Sequence, residues 1–188
     1  MEPLLAVALG IGLATAAGLR VFVPVFGAGL AAHLGMLDLH DSFRWLAEPP
    51  ALFAFGTATV LEVVAYYVPW LDHALDVIAT PTAVGAGMIA SAAVMVELPP
   101  VLRWSIAIIG GGGAAGLVQT LTVAARVKST VATGGLANPV LATLETVGAV
   151  GLVGLAILVP LVAAALVIGA VYGAYRWVGR FSGRAARP

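Results

Sequence analysis

Two carboxylates stand where carboxylates are costly. Glu62 and Glu145 each lie inside a long apolar run. At that depth in a bilayer an unpaired carboxylate costs at least about 2.5–3.5 kcal/mol, so such groups are paired, protonated or hydrated and usually face an interior cavity. Two chemistries fit. The acids form a protonatable or cation-binding pair, with affinity set by burial and neighbours, or they make structural contacts with Arg20 or polar groups of other helices. Arg20 is the only cation well inside the first apolar run. It can neutralise Glu62 or Glu145, hold an anionic substrate, or snorkel to the headgroups.

Further polar groups flank the apolar runs. Trp70–Ala79 reads as a short interfacial helix in which Asp72 and Asp76, spaced i and i+4, share a face beside His73. Two carboxylates and an imidazole can bind a metal; the plainer reading is a salt bridge to Arg126 or Lys128, which could gate the contact between two halves. Lys128–Pro139 is polar and Gly-rich and carries Thr133 and Asn138. It is either a re-entrant loop offering backbone N–H groups to an anion or a plain cytoplasmic loop. It is no phosphate-binding Walker motif, because the Gly–Lys–Ser/Thr order is missing. His33, Asp38, His40 and Asp41 read as an ordinary solvated loop. Ser–His–Asp order and paired-His motifs are absent, which gives hydrolysis little support. The expectation is a protein that is not an enzyme and uses no metal or cofactor.

The elements that must position these groups follow from composition. Of 188 residues, 61% are hydrophobic and 10% charged, against about 25% charged in soluble domains. Mean hydropathy is +1.06. A soluble chain of this size could not hide so much apolar surface, so the expected solvent is lipid. That excludes a cytosolic enzyme, a nucleic-acid binder and a disordered protein. Nine basic residues balance nine acidic ones, so no basic field recruits phosphates. Cys is absent, which removes disulfides and thiolate sites.

Long apolar runs without alternation predict helices rather than strands. Six spans are expected: Pro3 to about His33, Ala51–Pro69, Pro81–Glu97, Leu102–Ala125, Pro139 to about Val159, and Pro160–Val178. Trp45, Trp70, Trp104 and Trp177 fall near predicted ends, as headgroup anchors do. Met1–Gly18 lacks a basic n-region and reads as part of the first span rather than a signal peptide. Arg126, Lys128, Arg176, Arg180, Arg184 and Arg187 fall on one side, Arg44 and Arg103 on the other, which places both termini in the cytoplasm. A first helix of about 31 residues would reach roughly 46 Å, well beyond a core of about 30 Å. A break near Leu19–Pro24, within Gly18–Pro24, is expected.

An internal repeat organises the spans. Ile11–Leu19 and Ile109–Leu117 match at six of nine positions with an offset of 98. Leu61-Glu62 parallels Leu144-Glu145, and Thr80-Pro81 and Asn138-Pro139 each read as a cap residue followed by Pro at the first helical position. Small residues recur at four-residue spacing at Gly10, Ala14 and Gly18, at Gly112 and Gly116, and at Gly169 and Gly173. Such spacing serves close helix packing, within one chain or in a homodimer. Three spans per half would invert the second half, the plan of many secondary transporters.

The stretches Ala65–Pro81 and Ser129–Pro139 resemble the two signature stretches of the bacterial membrane family called domain of unknown function 4126. The resemblance covers nearly the whole chain. It departs at His73, where Asn is expected, at Ala137, where Gly is expected, and in lacking an acidic residue after Glu145. The first departure counts against an essential metal ligand. The resemblance implies membrane residence and no assigned activity.

The expectation is therefore an all-α polytopic protein of the bacterial inner membrane. It comprises a first three-helix repeat over 1–97, a second over 98–179 in inverted topology, and a basic cytoplasmic tail over 180–188. The expected function is a small secondary transporter or channel-like carrier, with proton or cation coupling through Glu62 and Glu145. Arg20 balances charge, and Asp72, Asp76, Thr133 and Asn138 complete the candidate solute- or ion-binding set. Membrane lipids and a small solute or ion are the expected partners, nucleic acid is not, and a homodimer is one reading of the small-residue stripes. The alternatives are a non-transporting scaffold or lipid-interacting protein and, further off, a membrane enzyme acting on lipids.

Overall fold

The computed structural model describes residues 2–68 and 71–182, with the side chains of 72–75, 174–175 and 177–182 outside that description. Its described residues form helices and turns, without strands. The helices are α1 (Pro3–Ala17), α2 (Phe22–His33), α3 (Pro49–Ala65), α4 (Leu71–Val94), α5 (Pro100–Ile106), α6 (Gly113–Thr133), α7 (Asn138–Leu158) and α8 (Pro160–Ser182). A 3₁₀ segment covers Asp41–Ala47, and a π segment over Ala107–Gly112 joins α5 to α6 as one rod. Pro opens α1, α3, α5 and α7 within the first two positions, where its missing N–H costs nothing and its φ is already helical.

The break in the first apolar run has a local cause. Pro24 cannot donate to the carbonyl one turn earlier, so it sits at least cost in a first helical turn. It is the third residue of α2, which puts the interruption at Gly18–Val21 and Arg20 inside it. The matched stretch Ile109–Leu117 has Thr122 where the first half has Pro24. There the chain continues through the π segment into α6.

Three expectations are corrected. Thr80-Pro81 does not open a helix, because Pro81 lies inside α4, which begins at Leu71. Of the Trp70–Ala79 stretch, Leu71–Ala79 is accordingly the start of α4 rather than a separate interfacial helix, and Trp70 lies outside the described residues. Thr80 and Thr82 donate to the carbonyls of Asp76 and Ile78, on either side of the Val77 carbonyl that Pro81 cannot bond. The Lys128–Pro139 stretch is not a long loop. Residues to Thr133 extend α6, and a short turn with Gly134 at φ 64° in the left-handed region ends it, the usual helix stop.

Helix α1 is the hub, packed against α4, α7 and α8. Small side chains permit it. A Cβ on Gly10 would lie 2.7 Å from Ser91 Oγ of α4, and one on Gly18 would lie 2.5 Å from Ala115 O of α6. Gly112 and Gly116 pack on Met88 and Val84 of α4, whereas Gly169 and Gly173 face open space. The core is dominated by Ala, Leu and Val, while Phe53, Val101, Ile109 and Leu136 are among many large apolar side chains on the outside. A lipid-facing surface has this character. Three helical stretches, Asp76–Val94, Pro100–Thr133 and Asn138–Leu158, are long and apolar enough to cross a membrane.

Candidate functional site: a charged cluster at the helix break

The interruption at Gly18–Val21 leaves backbone groups that helix hydrogen bonds would otherwise have used. Glu62, in the last turn of α3, meets two of them. Val21 N–H donates to one of its oxygens at 2.7 Å, and Phe22 N–H to the other at 3.0 Å. A carboxylate from another helix thus caps α2, at the end where the helix dipole favours negative charge.

Arg20 is carried out of the helical path by the break and is 1% exposed. Its Nη1 donates to Glu145 Oε2 at 2.9 Å and to Leu19 O at 3.2 Å. Its Nη2 donates to Ala142 O at 2.7 Å, and its Nε to Thr146 Oγ1 at 3.0 Å. Three acceptor residues on α7 therefore fix the guanidinium.

Helix α6 brings the second cation. Arg126 Nη1 donates to Asp76 Oδ1 at 2.7 Å, and its Nη2 pairs with the same Glu145 Oε2 that Arg20 holds. One carboxylate oxygen thus bridges two guanidiniums. Tyr66, which ends α3, stacks with both: the Arg20 and Arg126 Cζ atoms lie 4.3 and 3.9 Å from its ring centroid. Desolvated cation–π contacts of this kind contribute up to about 2 kcal/mol each. The Tyr66 hydroxyl donates to Asp76 Oδ1 at 3.4 Å.

The cluster joins Glu62, Asp76 and Glu145 to Arg20 and Arg126. Three carboxylates face two guanidiniums, so the fully ionised set carries one excess negative charge, offset in part by the N-terminus of α2. Buried donors remain as well. Arg126 Nε and Gln119 Nε2, both on α6, have no hydrogen-bond partner among the described residues. Gln119 lies beside the break, its backbone N being 3.1 Å from where a Cβ on Gly18 would sit.

Residues 7–180 match a family described as a domain of unknown function, DUF4126. The chain belongs to this family. No curated protein and no solved structure matches it. The DUF4126 match spans every residue of the cluster, from Arg20 to Glu145.

Of the residues that sequence reasoning singled out, this DUF4126 chain gathers Arg20, Glu62, Asp76 and Glu145. The sequence left a salt bridge from the Asp72–Asp76 stretch to Arg126 or Lys128, and the structure pairs Asp76 with Arg126. The Asp72 and His73 side chains lie outside the described residues, and among the described residues no group of three metal-ligating side chains occurs. Thr133 and Asn138 are not in the cluster. Thr133 Oγ1 donates to Ser129 O and accepts from Ala137 N–H, and Asn138 Nδ2 donates to Thr130 Oγ1, so both fasten the α6–α7 turn. Sequence reasoning missed Tyr66, Thr146 and Gln119. Two of these had a usable signal: Tyr66 lies four residues after Glu62, and Gln119 two turns before Arg126, each on one helix face.

At the far end of α2 lies a second polar feature, a cavity of about 680 Å³ lined by residues including Asp38, Arg44 and Glu97. The 12 residues of α2 separate it from the break, roughly 18 Å along the helix.

Proposed function

We propose that this chain is a small secondary transporter or channel-like carrier of the bacterial inner membrane, and that the charged cluster at the helix break is its coupling site. In this reading α1 with α2, α3, α4, the 100–133 rod, α7 and α8 make six crossings, arranged as two inverted triplets with both termini cytoplasmic. The observation that carries the reading is the convergence of four helices, α3, α4, α6 and α7, on an interrupted one, with three acids against two arginines. Non-helical backbone is tolerated at membrane depth only where protein or water satisfies it, and carriers place their sites at such interruptions. Arginine side chains do not give up their proton in proteins. The exchangeable protons therefore belong to Glu62, Asp76 and Glu145, and one proton or one cation neutralises the set.

A specific observation favours a second reading, a non-transporting scaffold. Arg20 is held by four hydrogen bonds, as in a lock rather than a moving part. Reconstitution separates the two. The purified chain is placed in vesicles with an internal pH-sensitive dye, and an inward-driving potential is imposed. The carrier acidifies the lumen, and Glu62→Gln with Glu145→Gln abolishes this while leaving the protein folded. Flux unchanged in the double variant, or no flux above empty vesicles in the parent chain, rejects the carrier.

A further inference from the structure

We infer that Arg20 and Arg126 form an oxyanion site for which the Glu145 carboxylate is the resident competitor. This deepens the carrier reading and rests on it. Both guanidiniums are buried, both lie against the Tyr66 ring, and both donate to the single oxygen Glu145 Oε2. Two fork-shaped donors converging on one anionic oxygen are the arrangement that recognises carboxylate, phosphate or sulfate groups. The unpartnered Arg126 Nε, itself buried, is a further donor on the same guanidinium.

The exchange is one negative charge for another. The Nη groups of Arg20 and Arg126 release the Glu145 carboxylate and turn to an incoming oxyanion, so that removing the charge at position 145 removes the competition. The groups around Glu145 fit this exchange. Arg20 faces it from the break and Arg126 from α6. Asp76 on α4 stays on Arg126 Nη1, Glu62 on α3 stays on the α2 N-terminus, and Tyr66 supplies its ring. The side chains of 72–75, 174–175 and 177–182 lie outside the described residues, and two described groups on other elements are held elsewhere. His33 of α2 bonds Ala47 O at that helix's far end, and Arg176 of α8 lies over the Tyr172 ring.

Sulfate, an oxyanion with no titration near neutral pH, is a suitable probe. The full chain in phosphatidylcholine nanodiscs is dialysed against radiolabelled sulfate at pH 7.5. Glu145→Gln, lacking the competing charge, is expected to bind at least tenfold tighter than wild type. Arg20→Gln and Arg126→Gln, each placed in the Glu145→Gln background, are expected to lose that binding. If Glu145→Gln does not fold, Glu145→Ser takes its place with the same expectation. Including phosphatidylglycerol identifies the source of the anion: a headgroup phosphate occupant would displace sulfate, and a soluble oxyanion site would be indifferent. Sulfate binding by folded Glu145→Gln no tighter than by wild type overturns the inference. Proton flux without sulfate binding rejects this site and spares the carrier, whereas sulfate binding without flux rejects the carrier and spares the site.

Discussion

Arg20 and Glu145 are 125 residues apart in the chain and 2.9 Å apart in space. Their contact ties the interruption between α1 and α2 to α7, and the same Glu145 oxygen extends the tie to Arg126 on α6. Removing one partner of a buried pair leaves an uncompensated charge, which typically costs about 3–5 kcal/mol. Here two guanidiniums lose their shared acceptor. Glu145→Ala is expected to destabilise the protein by that amount, and Glu145→Gln by less, because its amide oxygen still accepts. Unfolding in mixed detergent micelles measures both, and an alanine variant as stable as the parent contradicts the assignment.

The Asp76–Arg126 pair links α4 to α6 in the same buried setting. A double-mutant cycle with Asp76→Asn and Arg126→Gln is expected to give a coupling energy of about 1–3 kcal/mol, the range for neighbours that share a network. Additive single effects would mean that the two side chains do not support each other.

Glu62 acts as a cap supplied from another helix. Glu62→Ala leaves the N–H groups of Val21 and Phe22 without their acceptor. Loss of a cap costs about 0.5–2 kcal/mol. Hydrogen exchange at the start of α2 should accelerate in step, with Glu62→Gln lying between alanine and the parent. Protection unchanged at Val21 and Phe22 would show that the carboxylate is not their partner.

Gly18 and Gly113 make a matched test of packing. A Cβ at Gly18 meets Ala115 O at 2.5 Å and Val118 Cβ at 2.7 Å, whereas one at Gly113 meets nothing within 4 Å. Gly18→Ala is expected to lose about 1–3 kcal/mol through overpacking. Gly113→Ala, inside helical backbone, is expected to gain about 0.5–1 kcal/mol. Equal effects at the two sites would place α1 away from α6.

Much of this protein was legible from local rules. Hydropathy and the lack of alternation announced helices, and Pro24 dictated that a helix restart there, which fixes the gap that holds Arg20. Glu62 and Glu145 stood out because an acid inside an apolar run needs a reason. Charge and sidedness pointed the Asp72–Asp76 stretch at Arg126 or Lys128, and the fold chose Asp76 with Arg126. Other local signals were overridden. Thr80-Pro81 has the form of a helix start, yet α4 runs through it, with hydroxyls of Thr80 and Thr82 on the neighbouring carbonyls. The polar run from Lys128 has the composition of a loop, yet its first residues extend α6.

The choice of partners was decided only in three dimensions. The sequence allowed Arg20 to serve either acid; the packing of α1 and α2 against α7 gives it to Glu145, and the packing of α2 on α3 gives Glu62 the freed backbone instead. Tyr66 looked like one more aromatic near a membrane edge until two guanidiniums converged on its ring. The physical reason is range. Hydropathy and proline act over a turn or two of chain, whereas these contacts join residues 40 to 125 positions apart, and which helix faces meet is a property of the whole bundle.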